Sequence, residues 1–180
     1  MTGNKGARIK QLLRTLFRTF LMAWAIALVF IGIFGRDESW KMIAGPADMG
    51  AVDFKNVARS SWPNNFLLCP PDYCAPGLPD QIPPVFPVPA TRLAELFHEA
   101  AMADARVTQV YTNNLDRARY VQRSERLHFP DTISALFIPV DEANSTLAVY
   151  SRSQIGYSDR GVNENRVYRW LEALSAKTAN

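Results

Sequence analysis

The chain has 180 residues, 20 Lys and Arg against 17 Asp and Glu, 12 prolines and two cysteines, a length expected of one domain with an appendage. Its net charge of +3 is uneven: residues 1–36 carry six basic residues and no acid, and the remainder carries 14 basic and 17 acidic residues. The folded part is therefore mildly acidic, which argues against a nucleic-acid partner despite the basic total.

The basic residues belong to an apolar segment. Residues 20–34, FLMAWAIALVFIGIF, hold no charge, and extended back to Leu16 the 19-residue run is interrupted only by Arg18 and Thr19. As a helix this run spans roughly 28 Å, close to the hydrocarbon thickness of a bilayer. Arg18 lies near one end, where it can snorkel to the headgroups. Lys5, Arg8, Lys10 and Arg14 precede the run, and Asp37 and Glu38 follow it. The positive-inside rule then predicts a cytoplasmic tail at 1–15, a single span at 16–35, and everything later on the outer side. A cleaved signal peptide fits less well. Its small-residue pattern at Ala25 and Ala27 falls inside the apolar run, and a cut near Ala44 would face Pro46. The expectation is an uncleaved signal anchor in the inner (cytoplasmic) membrane, with the domain facing the periplasm or cell exterior.

Residues 36–62 read as a tether. Trp40 suits the outer interface, Gly45, Pro46 and Gly50 break helices, and Val52, Phe54 and Val57 can dock on a domain. Residues 63–89 hold nine of the 12 prolines and read as an extended, wrapping belt. Phe66, Leu67, Leu68, Val85, Phe86 and Val88 make it too apolar for a free linker. Cys69 and Cys74 lie within it. On an oxidising side they most simply form a structural disulfide, with free thiols or a redox or metal role as the alternatives. No second cysteine pair or histidine cluster offers a metal site.

The core is expected at 90–180. Thr91 is a suitable N-cap for a helix to about residue 103, with Leu93, Leu96, Phe97 and Ala100 as its apolar stripe. Strands follow at 107–111, 117–127, 133–140 and 146–155, separated by turn residues at 113–116, Pro130-Asp131 and 141–144. A second helix starts near Asn163, a suitable N-cap, with Val167, Trp170, Leu171 and Leu174 buried. The predicted fold is α+β: a transmembrane helix, then a four-stranded antiparallel sheet with two helices on one face and a proline-rich wrapping segment.

Polar side chains concentrate in two places. Alternation puts Arg117, Arg119, Val121 and Arg123 on one face of a strand, with Arg152 on its neighbour. A solvated face with ion pairs to Glu125, Asp131 or Asp159 is one reading. An anion site built on Arg119, Arg123 and Arg152 is the other, since guanidinium forks match anionic groups. Arg152 and Asp159 are spaced to fix the turn between strand and helix, where Gly156 and Gly161 suit positive φ. His98 is placed on the surface of the first helix, and His128 precedes Pro130. No zinc-protease, nucleophile-elbow or nucleotide-binding motif occurs. The inventory points to no catalytic residue, no cofactor and no metal.

Phe129-Pro130-Asp131, Ser151-Arg152-Ser153 and Asp159-Arg160-Gly161-Val162-Asn163, with an arginine-bearing strand before them, resemble the signature of the DUF1499 family. Pro46-Ala47-Asp48-Met49-Gly50 and Pro63-Asn64-Asn65 are similar to the tether of its membrane-anchored bacterial members. The resemblance covers roughly 47–175. It implies Asp131, Asp159, Gly161 and Asn163 as structural turn residues and assigns no biochemical role. Gln154 departs from the family, where arginine is commoner. Two functions follow as expectations. One is a non-catalytic accessory or assembly module with an envelope or membrane-complex protein partner. The other is a binding protein for an anionic ligand, a lipid headgroup or phosphorylated metabolite.

Overall fold

The computed structural model describes residues 3–75 and 78–179. The chain divides into two units, the first ending at Ile43 and the second running from Ala44.

The first unit is helical. α1, Gly3–Ala44, contains one non-helical residue, Gly35, at φ 76° and ψ 163°. That conformation is open to glycine and strained for other residues, so Gly35 breaks the helix where the apolar run ends. The portion from Arg8 to Ala44 has a mean hydropathy of 2.1 in its most apolar window, and nothing in the fold buries that window. It is the one helix, among the described residues, long and apolar enough to cross a membrane. Helix resumes after Gly35 and runs to Ala44, beyond the span expected at 16–35, because residues 36–44 contain no proline and no further glycine.

The second unit is a five-stranded antiparallel sheet with two helices. Its strands are β1 (Asn65–Leu68), β2 (Val107–Thr112), β3 (Arg117–Arg123), β4 (Pro130–Pro139) and β5 (Ser145–Ser153), in the spatial order β1-β5-β4-β3-β2. α2 (Ala90–Ala103) precedes β2, and α3 (Val162–Thr178) follows β5. The α+β class stands, but the expected four strands are corrected to five. β1 comes from the proline-rich belt, where Pro63 and Pro70 flank the run Asn-Phe-Leu-Leu without interrupting it. An edge strand needs ladder bonds on one side only, so so short a run between prolines suffices. It pairs with β5, Phe66 opposite Ser151 and Leu68 opposite Val149.

Period-two alternation divides the sheet into two cores. Phe66, Leu68, Tyr120, Ile133, Ala135, Phe137, Leu147 and Val149 face α2 and α3, which contribute Leu93, Leu96, Phe97, Val167, Trp170 and Leu174. Phe97 and Trp170 meet edge to face, ring centres 5.3 Å apart. The opposite face carries Leu67, Leu136, Ala148 and Tyr150, covered by Phe54, Val57 and the Cys69–Cys74 pair. Tether and belt therefore supply the second core layer. α2 begins at Ala90 with Pro89 as its N-cap residue and no side-chain cap, so Thr91 lies inside the helix instead of capping it. Pro130 and Asp131, expected as a turn, open β4, with Asp131 opposite Ser153.

Candidate functional site

The helix side of the sheet ends in a buried polar network. α3 carries Asn163 and Arg166 on the same stripe as Val167, Trp170 and Leu174, and all five are buried. A guanidinium in such a place must find partners for its donors. Arg166 Nη2 donates to Asp131 Oδ2 (2.6 Å) and Nη1 to Ser151 Oγ (2.8 Å) and Asn163 Oδ1 (2.7 Å). Its Nε donates to Gln122 Oε1. Asn163 Nδ2 donates to the Asn64 carbonyl (3.1 Å), Ser153 Oγ (3.0 Å) and Asp159 Oδ2 (2.7 Å). One helix thus ties β1's approach, β3, β4 and β5 together through side chains that alternation aims at it.

Asp159, expected to pair with Arg152, instead accepts from the Gly161 and Asn163 N–H groups at 3.0 and 2.8 Å. It thereby satisfies donors that the first turn of α3 leaves over. Gly161 is the N-cap residue, at φ 80°, so Asn163 is a buried residue of the first turn and not the cap.

The three candidate arginines lie on the other face. Arg119 donates through Nε to Asp48 Oδ1 (3.0 Å) and through Nη2 to Asp48 Oδ2 (2.9 Å), and its guanidinium sits 4.6 Å from the Tyr111 ring centre. Arg152 Nη2 donates to the Met49 carbonyl (3.1 Å) and, at 3.4 Å, to that of Gly50. Arg123 Nη1 donates to the His128 carbonyl (3.2 Å), fastening the loop between β3 and β4. Thr132 Oγ1 donates to the Ala47 carbonyl (2.9 Å) and accepts from the Met49 N–H (3.1 Å). Gln154 Nε2 reaches the carbonyls of Ala44 and Pro46, each at 2.8 Å. Arg119 and Arg152 thus converge on the chain's own residues 48–50, and segment 44–50 is clamped across the sheet. The Arg119 hydrogen bonds hold the Asp48 carboxyl below the ordinary carboxylate range, against the opposing effect of partial burial. Burial pulls Arg152 below its ordinary value, and its Nε has no hydrogen-bond partner among the described residues.

Cys69 and Cys74 are joined in a disulfide and buried in the second core. Among the described residues, no group of three or more His, Cys, Asp or Glu side chains is placed to hold a metal ion. His98 is no bare surface residue: its Nδ1 lies 3.4 Å from Tyr120 Oη, at a cleft of about 510 Å³ between α2 and the β2–β3 hairpin. Burial pushes the Tyr120 phenol up to about 12, so it is neutral at physiological pH.

Sequence reasoning missed Arg166 and the pairing of Arg119 with Asp48. The first had a signal: Asn163 and Arg166 fall on the apolar stripe of α3, where a surface arginine does not belong. The second had none beyond the shared presence of Asp48 and an arginine strand, because tertiary pairing across 71 residues leaves no local pattern.

A four-strand antiparallel meander, β2 to β5, with β1 added beside β5 and two helices behind, its last turn bonded by Asp159 and Asn163, defines an α+β domain whose polar motif residues bond to the domain itself. Residues 70–174 match the family described as "Protein of unknown function (DUF1499)", more than half of the chain, and the chain belongs to that family. The match begins after the 46–50 tether, whose likeness to the family is outside the matched residues. No curated protein sequence matches the chain.

Proposed function

We propose that this is a single-span membrane protein, N-terminus inside, whose domain stands on the outer side of the inner (cytoplasmic) membrane as a non-catalytic accessory or assembly module. Its partner is a protein of the envelope or of a membrane complex. The observation that carries this reading is that the domain spends its motif residues on itself. Arg166, Asp131, Ser151, Asn163 and Asp159 bond one another, and Arg119 and Arg152 hold segment 48–50. An exposed apolar helix and a disulfide both suit a membrane anchor leading to an oxidising side. An anionic ligand at Arg119 would have to displace Asp48, so the geometry favours the accessory reading over the anion-binding one.

The test has two parts. After alkaline carbonate washing, the full chain is expected in the membrane pellet, with a C-terminal tag reached by protease in spheroplasts and not in inverted vesicles. Native mass spectrometry of protein gently extracted from its own membranes is expected to retain one polypeptide in fixed stoichiometry. Release into the carbonate supernatant, or the reverse protease pattern, sinks the anchor and its orientation. A bare monomer at all extraction strengths sinks the accessory role.

A further inference from the structure

The loop at 59–63, the turn at 158–161 and the first turns of α3 enclose a cleft of about 520 Å³ that none of the roles above uses. Trp62 lines it with 52% of its surface exposed, yet its backbone is fixed. The Trp62 N–H donates to Ser60 Oγ (3.1 Å), and its carbonyl accepts from the Asn64 N–H (2.8 Å) and Asn65 Nδ2 (2.9 Å). The Tyr157 ring stands 5.7 Å from the indole, and Tyr168, also lining the cleft, leans on buried Phe66 at 5.5 Å. Aromatic rings are therefore preset beside the opening while remaining in contact with water, and preset groups lose little freedom when a ligand arrives.

The charges are mostly spent. Arg59 forks onto Asp80 through Nη1 (3.1 Å) and Nη2 (2.7 Å), neutralising the cation that lines the cleft. Both oxygens of Asp159 accept from the start of α3. The exposed Glu164 carboxylate receives no hydrogen bond from any described residue, and Ser61 and Ser158 line the same cleft. A carboxylate is an acceptor only, so the open side of this cleft calls for donors. An anion finds no free cation among the described residues that line the cleft. A sugar ring fits both halves: its C–H face lies on the negative face of an aromatic ring, and its hydroxyls donate to a carboxylate and exchange hydrogen bonds with serines.

We infer that this cleft binds a neutral oligosaccharide, with Trp62 and Tyr168 as stacking platforms and Glu164 as the hydroxyl acceptor. The inference goes beyond the accessory reading and does not rest on it. An amine would share the rings and Glu164, and the experiment separates the two.

Isothermal titration of the full chain, held in a polyoxyethylene detergent free of sugar and ammonium headgroups, would use three probes. These are a β-1,4-linked N-acetylglucosamine tetramer, cellotetraose and tetramethylammonium. Binding of at least one tetrasaccharide is expected, weakened about tenfold or more in Trp62→Ala and in Tyr168→Ala and several-fold in Glu164→Gln. Circular dichroism establishes which variants fold, and the two ring variants, on different elements, serve as each other's control. Failure of both tetrasaccharides to bind, binding unchanged in the folded ring variants, or binding of tetramethylammonium alone overturns the assignment.

Discussion

Arg119 on β3 and Asp48 in the segment entering the domain are 71 residues apart in sequence and 2.9 Å apart between Nη2 and Oδ2. With the second bond from Nε, the pair is a two-pronged fastening with both side chains mostly out of water. Arg119→Ala or Asp48→Asn is expected to cost about 1–2 kcal/mol, above the range of exposed pairs because the bonds are charge-assisted and half-buried. Both variants should also expose the chain near 44–52 to limited proteolysis. Wild-type resistance there in both would show that Thr132, Arg152 and Gln154 suffice to hold the segment.

The same pair sets an acid limit. Asp48 has a folded pKa below its ordinary value of 3.8. A depressed carboxylate binds fewer protons folded than unfolded, so its contribution is complete above about pH 4 and is lost as pH falls through the folded value. Proteolysis with an acid-active protease should open the 44–52 segment below that pH. Asp48→Asn should flatten the dependence; an unchanged acid profile in that variant would place the effect elsewhere.

Arg166 is expected to be the least replaceable charged side chain in the domain. Arg166→Ala removes the guanidinium and leaves the Asp131 carboxylate, only 12% exposed, without its cation. The expected loss is ~3–5 kcal/mol, measured by urea unfolding. Replacing both partners, Arg166→Met with Asp131→Leu, should recover part of it, because no lone charge is then buried. A single variant as stable as wild type would mean that the network is dispensable.

The disulfide closes a separation of five residues. Chain-entropy reasoning gives such a short loop about 2 kcal/mol. The pair Cys69→Ala with Cys74→Ala should lose about that much and still fold, since the larger core on the helix side does not involve it. Intact mass under non-reducing conditions should show the chain lighter by two hydrogens than its reduced form.

Gly161→Ala isolates a backbone effect. A Cβ there would meet Asn165 Nδ2 at 3.6 Å, an ordinary contact, so crowding is not the obstacle. The cost comes from φ of 80°, and about 1 kcal/mol is expected. Gly161→Asn, which tolerates the left-handed region better, should cost less; equal losses would show that the strain lies elsewhere.

The helices and the four long strands were legible because each repeats an apolar pattern over seven or more residues, or sits between clear turns. β1 was not, since four residues between prolines carry too short a period, and their role depends on finding β5 partners 81 to 87 residues later. The arginine face was legible as a face but not as a clamp. Alternation tells which way Arg119 and Arg152 point, whereas their partners lie on a segment whose composition says only that it is not helical. Asp131 and Asn163 were legible as motif residues and misplaced by a few positions of local structure, because proline before Asp131 reads as a break and asparagine before an apolar stripe reads as a cap. The aromatic cleft went unseen: Trp62, Tyr157 and Tyr168 come from three separate stretches, and only the return of β1 beside α3 brings them together.

The clamp on segment 44–50 also dictates an order of events during synthesis. Its fastenings span 71, 85, 103 and 110 residues, and β1 docks on the last strand to be made. A chain emerging from its N-terminus presents α1 first, together with a tether and belt that have nowhere to go. The Cys69–Cys74 loop is local and can close early; Asp48 waits for β3, Ala47 and Met49 for β4, and β1 for β5. Any pause or truncation before residue 145 therefore yields a nascent chain whose apolar helix is finished while its domain has no seat for Phe66, Leu67 or Leu68. Such a product would leave those apolar side chains uncovered rather than form a smaller folded protein.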